Sequence, residues 1–221
     1  MKQNYSIQHQ NMIKRQILPH GHFSSHALYA FEKISRSFFL PEDKKSEAYV
    51  EAPIILDGRR IIYAPLSYAC LLELLPVVSD QNIMVVGGST GYGAALLSFH
   101  GSTIFLLESD DRYVSVAQEG FKRMGIENVV LCQGSLRDGL IKQSPFWYIL
   151  VEGSIDTVPY AYFDQLHPES PGIFACAQIK GGGSFFSRFY RDDKGVVVCE
   201  PLFPEKAFYV PEFQQKEKFV F

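Results

Sequence analysis

Asn82-Ile83-Met84-Val85-Val86-Gly87-Gly88-Ser89-Thr90-Gly91-Tyr92-Gly93 is the stretch whose reading decides the fold of this chain. Asn82 to Val86 is short and nearly all apolar, as expected of a parallel strand covered on both faces. The glycines that follow give a tight turn, and Ala94 to Phe99 begins a helix. A strand running through glycines into a helix brings backbone N–H groups and a helix N-terminus together. They can hold the polar end of a nucleotide-like ligand there.

Downstream the alternation continues. Thr103 to Leu107 reads as a second buried strand, and Arg112 to Met124 as a helix with Gly125 as its C-cap. Val129 to Cys132 and Trp147 to Val151 give third and fourth strands. Strand, helix, strand in this order predicts an α/β fold: a doubly wound, Rossmann-like parallel sheet with helices on both faces. After Gly172 the pattern turns aromatic and strand-like, in Ile173–Ala177, Phe185–Tyr190, Val196–Cys199 and Phe208–Val210, with Gly181-Gly182-Gly183 and Asp192–Gly195 between them as hairpin turns. An antiparallel finish to the sheet follows, its aromatics packing the core or offering a surface to a second copy of the chain.

Upstream, apolar residues at loosely helical spacing from Met12 to about Phe39 predict two short helices broken near Pro19 and Gly21. Pro41 to Lys45 is a polar connection, Ala52 to Gly58 an extended stretch closing in a turn, and Leu66 to Leu75 a helix ended by Pro76. The chain reads as one domain, with an N-terminal helical and extended segment (1–65), an α/β core (66–180) and C-terminal strands (181–221).

The 221 residues are 47% apolar and 20% charged, ordinary for a globular protein. A net charge of -3 argues against nucleic acid as a partner, because no broad basic field exists to hold a phosphate backbone. Cys70, Cys132, Cys176 and Cys199 form no metal-ligand spacing and read as reduced, mostly buried thiols. The six histidines share no ligand spacing either and read as surface or capping residues, so no metal is expected. Met1 to Lys14 lacks the apolar stretch of a signal peptide and no run reaches membrane-spanning length, which predicts a cytoplasmic location and no membrane partner.

Glu108 closes the second strand 21 residues beyond Gly87. This is the spacing at which a carboxylate accepts hydrogen bonds from ribose hydroxyls, so turn and acid together predict a nucleoside site. The dinucleotide fingerprint is absent, because Gly91-Tyr92-Gly93 is followed by Leu96 where a third glycine should stand. NAD is thereby the weaker candidate.

Three further stretches carry a resemblance: Tyr92 directly after Gly91, Ala64-Pro65 within Arg59 to Leu66, and Ser37-Phe38-Phe39-Leu40-Pro41-Glu42. With the Leu166-His167-Pro168 and Pro171-Gly172 segment, they make the chain similar to protein-L-isoaspartate O-methyltransferases, in order from about Asn11 to Gly182. The resemblance implies S-adenosylmethionine as cofactor, held by Gly87, Gly88, Ser89, Gly91, Tyr92, Glu108, Ser109 and Ser135. It implies an isoaspartyl or D-aspartyl carboxylate of a damaged protein or peptide as methyl acceptor. Such a carboxylate is already anionic at neutral pH, its pKa being about 4, so catalysis asks for positioning and desolvation rather than a strong base.

Several positions depart from the family's pattern. Val85 replaces an acid two residues before the first glycine, Ser89 replaces a glycine of the turn, and Gly134-Ser135-Leu136 replaces Gly-Asp-Gly after the third strand. Tyr63 stands where the family has an acceptor-side serine, and is the catalytic candidate by position. Ile62, Ala64 and Leu66 flank it in the expected acceptor pocket. Glu152 falls in the same region and is expected to bring a negative charge that repels an acceptor carboxylate. Two readings follow: a methyltransferase, or a non-catalytic descendant that keeps the fold as a binding or assembly module.

Overall fold

The computed structural model describes residues 2–57, 60–179 and 183–213. Gly58, Arg59, Gly181 and Gly182, which figure in the turns and motif above, lie outside them.

A seven-stranded sheet forms the centre. Its strands are β3 (Val78–Val86), β4 (Gly101–Glu108), β5 (Val129–Gln133), β6 (Tyr148–Ser154), β7 (Gly172–Ile179), β8 (Gly183–Arg191) and β9 (Val197–Pro204), ordered β5-β4-β3-β6-β7-β8-β9. β3 through β7 pair in parallel, while β8 and β9 are antiparallel. The α/β class and the antiparallel finish are as the sequence predicts. Phe208–Val210 is not a sheet strand; Tyr209 makes one parallel bridge to Ser154. A separate two-stranded ribbon joins β1 (Ile54–Ile55) and β2 (Ile61–Ile62).

The helices are α1 (Lys2–Met12), α2 (Ser25–Lys33), α3 (Pro65–Leu74), α4 (Tyr92–Leu97), α5 (Asp111–Met124) and α6 (Tyr160–Phe163). Their ends follow local chemistry. Ser24 Oγ accepts from the Ala27 N–H to cap α2, Pro65 starts α3, Asp110 caps α5, and Gly125 at φ 64° ends it. The N-terminal helix α1 was not expected, because its sequence is polar and offers little amphipathic signal.

Period-two alternation divides the core. Ile83, Val85, Ile104, Leu106, Tyr148 and Leu150 face one side, with buried residues of α2, α3, α4 and α5. Met84, Val86, Leu107, Ile149, Val151 and Ile173 face the other. The helices are thus shared unequally between the faces. Among the described residues, the second face is covered by the four-residue α6, by Leu136, Phe146, Ile155 and Val210 from connecting segments, and by Phe213 from a short 3-10 turn. No long helix intervenes between β5 and β6, and Val210 and Phe213 pack on this face.

Other expectations need correction. His9 and His100 are buried, His9 with a ring nitrogen 2.7 Å from the Phe31 carbonyl and His100 edge-on to His26 at 4.7 Å. Burial holds the His100 imidazole down at a pKa of about 4. Of the cysteines only Cys176 is fully buried; Cys70 and Cys132 are half-buried and Cys199 exposed, all four free.

Much of the aromatic C-terminal region packs inward. Phe186 is fully buried, stacked on Phe203 at 5.2 Å and Phe174 at 6.4 Å. Phe186→Ala is expected to cost about 3–5 kcal/mol in a denaturant titration, the range for deleting a buried phenyl ring.

Candidate nucleoside site and acceptor side

β3 leads to β4 on one side of the sheet and β6 lies on the other. The crevice between the carboxyl ends of β3 and β6 is therefore the topological switch point, where open α/β sheets hold their ligands. The glycine turn lies there. Gly87 (φ 65°) and Gly91 (φ 85°) have left-handed backbones, and so does Ser89 at φ 49°, a conformation unusual for a residue with a Cβ. The turn closes through the Gly91 N–H on the Gly88 carbonyl at 2.8 Å, and α4 begins from Gly91.

Glu108 anchors this arrangement from the end of β4, with no exposed surface. Its Oε2 accepts from the Ser89 N–H at 3.0 Å, and its Oε1 from the Ser109 and Asp110 N–H groups at 2.8 and 3.1 Å. Arg60, 5% exposed, donates from Nη2 to Oε1 at 3.2 Å and from Nε to Oε2 at 3.4 Å. The Glu108 charge and hydrogen bond outweigh burial and raise the Arg60 pKa. A second acid, Glu212, lies 3.5 Å from Arg60 Nη2 and accepts from Ser109 Oγ at 2.7 Å. Beside this network opens a polar cleft of about 500 Å³ lined by Asp57, Arg60, Asp110, Arg112, Tyr113 and Glu212, among others.

The remaining candidates separate by position. Ser109 is half-buried beside Glu108, and Ser135 is exposed past β5. Gly88 is close-packed by the protein itself, since a Cβ there would meet Leu106 at 2.6 Å and Val85 at 2.9 Å. Val85, in the place of the family acid, is thus an apolar wall.

On the acceptor side, Ile62 and Tyr63 are buried while Ala64 and Leu66 are half-buried. The Tyr63 hydroxyl lies 3.5 Å from Cys176 Sγ, and its ring meets Tyr68 edge-on at 5.5 Å. Tyr68 continues to Tyr92 at 5.3 Å. Arg36, fully buried, donates to the Tyr63 carbonyl at 2.7 Å and lies 5.7 Å from the centre of the Tyr92 ring. Burial lowers its pKa.

Glu152 is held within this aromatic group. Tyr68 donates to its Oε2 at 2.9 Å, while Oε1 is buried with no hydrogen-bond partner among the described residues. The carboxyl fits because residue 93 is glycine; a Cβ there would overlap Glu152 Oε1. Burial lifts its pKa to about 8, against the opposing pull of the Tyr68 hydrogen bond. Burial thus disfavours the negative charge that the residue type leads one to expect here.

Arg36, Arg60, Tyr68 and Glu212 complete these networks and were not singled out from sequence. Arg36 directly precedes the Ser37 to Glu42 stretch and Arg60 lies within Arg59 to Leu66, so both adjoin residues that carry the family resemblance. The partners of the others lie far away along the chain.

An open, mostly parallel sheet with a strand-end acid, a glycine turn and a switch point between β3 and β6 is the architecture in which α/β proteins hold nucleoside ligands. The profile of the protein-L-isoaspartate(D-aspartate) O-methyltransferase family matches residues 7–217, and the chain belongs to that family of S-adenosylmethionine-dependent protein carboxyl methyltransferases. A protein-L-isoaspartate O-methyltransferase of Myxococcus xanthus is 30% identical over 149 residues, 67% of this chain and 70% of that protein. One from a Synechococcus species is 28% identical over 162 residues, 73% of this chain and 66% of its own length. A solved protein-L-isoaspartate O-methyltransferase superposes with a TM-score of 0.69 at 23% identity, covering 92% of this chain and 66% of that one. The chain thus spans about two thirds of the length of these relatives. Among the described residues, no His/Cys/Asp/Glu cluster could hold a metal ion, and no helix is long and apolar enough to cross a membrane.

The raised pKa of Glu152 gives a pH prediction. Its folded pKa is raised above the ordinary 4.5, so its contribution is fully present below about pH 4.5 and is lost as pH rises through about 8. Glu152→Gln should remove this slope: the difference in thermal midpoint between variant and wild type is expected to move in the variant's favour from pH 5 to pH 8. A pH-independent difference would show that Glu152 ionises normally.

Proposed function

We propose that the chain binds S-adenosylmethionine in the crevice between β3 and β6 and methylates a carboxylate of a protein or peptide, an isoaspartyl group being the acceptor class that the family and its relatives' names supply. The observation that carries this reading is the placement of Glu108. It is a buried carboxylate at the end of β4, locked by the backbone of the glycine turn and of the following helix start. The residues fit the group on that side. Both carboxylate oxygens are filled in the free chain by backbone N–H groups and by Arg60, so ribose hydroxyls would reach them by displacing the Arg60 guanidinium.

Gly87, Gly88, Ser89, Gly91 and Tyr92 would lie along the methionine portion, and Ser109 and Ser135 toward the base. S-Adenosylmethionine supplies an electrophilic methyl group on a sulfonium. The protein's part is to align an acceptor carboxylate and strip it of water. The raised pKa of Glu152 suits that task, because a carboxyl that keeps its proton can donate to a carboxylate from Oε1 instead of repelling it. Tyr63 walls the acceptor pocket formed with Ile62, Ala64 and Leu66, its hydroxyl being directed at Cys176.

The second reading, a non-catalytic module, is favoured by one observation: Tyr63 and Glu152 are almost fully buried, so the acceptor side is closed in the free chain.

A thermal-denaturation titration with S-adenosylhomocysteine separates the two. A ligand that binds only the native state stabilises it by about 2.7 kcal/mol at a hundredfold excess over Kd. The midpoint is expected to rise, Glu108→Ala is expected to abolish the rise, and labelled methyl groups are expected to reach an isoaspartyl peptide but not its aspartyl counterpart. No rise at millimolar ligand, with no transfer, leaves the non-catalytic module.

A further inference from the structure

The C-terminal end of the described chain lies across the crevice assigned above. Phe208 accepts from the Ser154 N–H at 2.9 Å, and the Val210 N–H donates to the Ser154 carbonyl at 3.2 Å, so this segment runs on beside the end of β6. Val210 is fully buried, and its side chain fills the space that a Cβ on Gly153 would take. It also lies 3.8 Å from where a Gly87 Cβ would stand, directly over the first glycine of the turn. Leu136 approaches the same point at 3.6 Å.

Beyond Val210, the Glu212 carboxylate takes the Ser109 hydroxyl and faces Arg60, while its backbone carbonyl accepts from Arg137 Nη1 at 2.8 Å. Phe213 is buried against Tyr162, ring centres 6.1 Å apart. The segment therefore touches residues at the ends of β3, β4 and β6 and those just past β5. A nucleoside spanning from Gly87 to Glu108 and on toward Ser135 needs the same ground.

We propose that Phe208–Phe213 is an autoinhibitory strap that occupies the cofactor crevice in the free chain and must leave it before S-adenosylmethionine binds. This rests on the cofactor reading given above. Its mechanism is excluded volume plus a shared polar partner: Val210 stands over Gly87, and Glu212 holds Arg60 and Ser109 beside the Glu108 carboxylate. Only the strap-open fraction of molecules is competent, so the apparent Kd is the intrinsic Kd divided by that fraction. Opening the strap breaks one isolated bridge rather than a ladder, and uncovers Val210 and Phe213, so the strap-open fraction is small and the gain from loosening it correspondingly large.

The test is isothermal titration of S-adenosylhomocysteine into the full-length wild type, Val210→Asp and Glu212→Ala, each checked for a cooperative melt. Val210→Asp places a charge in the apolar seat, and Glu212→Ala removes the polar tether but keeps Val210. Both are expected to tighten binding at least tenfold. Should Val210→Asp fail to fold, Glu212→Ala decides alone. Wild-type binding with unchanged or weaker variants would overturn the strap and leave the cofactor reading standing. No binding by any of the three at millimolar ligand would overturn the cofactor reading, and the strap with it.

Discussion

The buried carboxylate of Glu108 is the constraint on which the crevice depends. A carboxylate without solvent is costly unless its oxygens are filled by good donors, and here they receive the N–H groups of Ser89, Ser109 and Asp110 together with the Arg60 guanidinium. Those donors come from the glycine turn, the start of α5 and the loop before β2. One side chain thereby ties three separate segments together. Removing either member of such a buried pair costs about 3–5 kcal/mol, because the other is left uncompensated. The left-handed backbone at Ser89 belongs to the same arrangement, since it presents the Ser89 N–H to Oε2.

The second organising fact is what the glycines make room for. In the sequence they suggest close approach of a ligand to the backbone. In the fold, Gly88 yields to Leu106 and Val85, Gly91 to Phe121 at 2.6 Å, and Gly93 to the carboxyl of Glu152. Gly87 alone among these keeps ordinary contacts at its Cβ position, and the nearest of them are Leu136 and Val210. The turn thus serves internal packing at three positions and leaves one facing the crevice. Glu152, Tyr68, Tyr63 and Cys176 extend that packing toward the acceptor side as a continuous buried polar group.

How far the sequence reveals this follows the range of the interactions. The sheet is legible because buried parallel strands write themselves as apolar runs between helical stretches, and Glu108 is legible because its spacing from Gly87 is fixed by one strand, turn and helix. Helix α1 is not legible, since little in its polar sequence marks an apolar face. Phe208–Val210 looks like a strand because its residues favour extended backbone, yet among the described residues it bridges only to Ser154, at the end of β6. The environment of Glu152 is hidden for the same reason: its residue type gives a negative formal charge, while the burial that disfavours that charge is assembled where Tyr68 of α3 and Gly93 of α4 pack on β6. Arg60 and Glu212 meet at Ser109 only through tertiary folding.

Amide hydrogen exchange measured residue by residue on the wild type and on Glu108→Ala tests the role of this carboxylate most directly. If Glu108 organises the crevice, Ser89 and Ser109 lose protection together in the variant while Ile104 and Leu106 in β4 keep theirs. Unchanged protection at Ser89 and Ser109, in a variant that melts cooperatively, would contradict it.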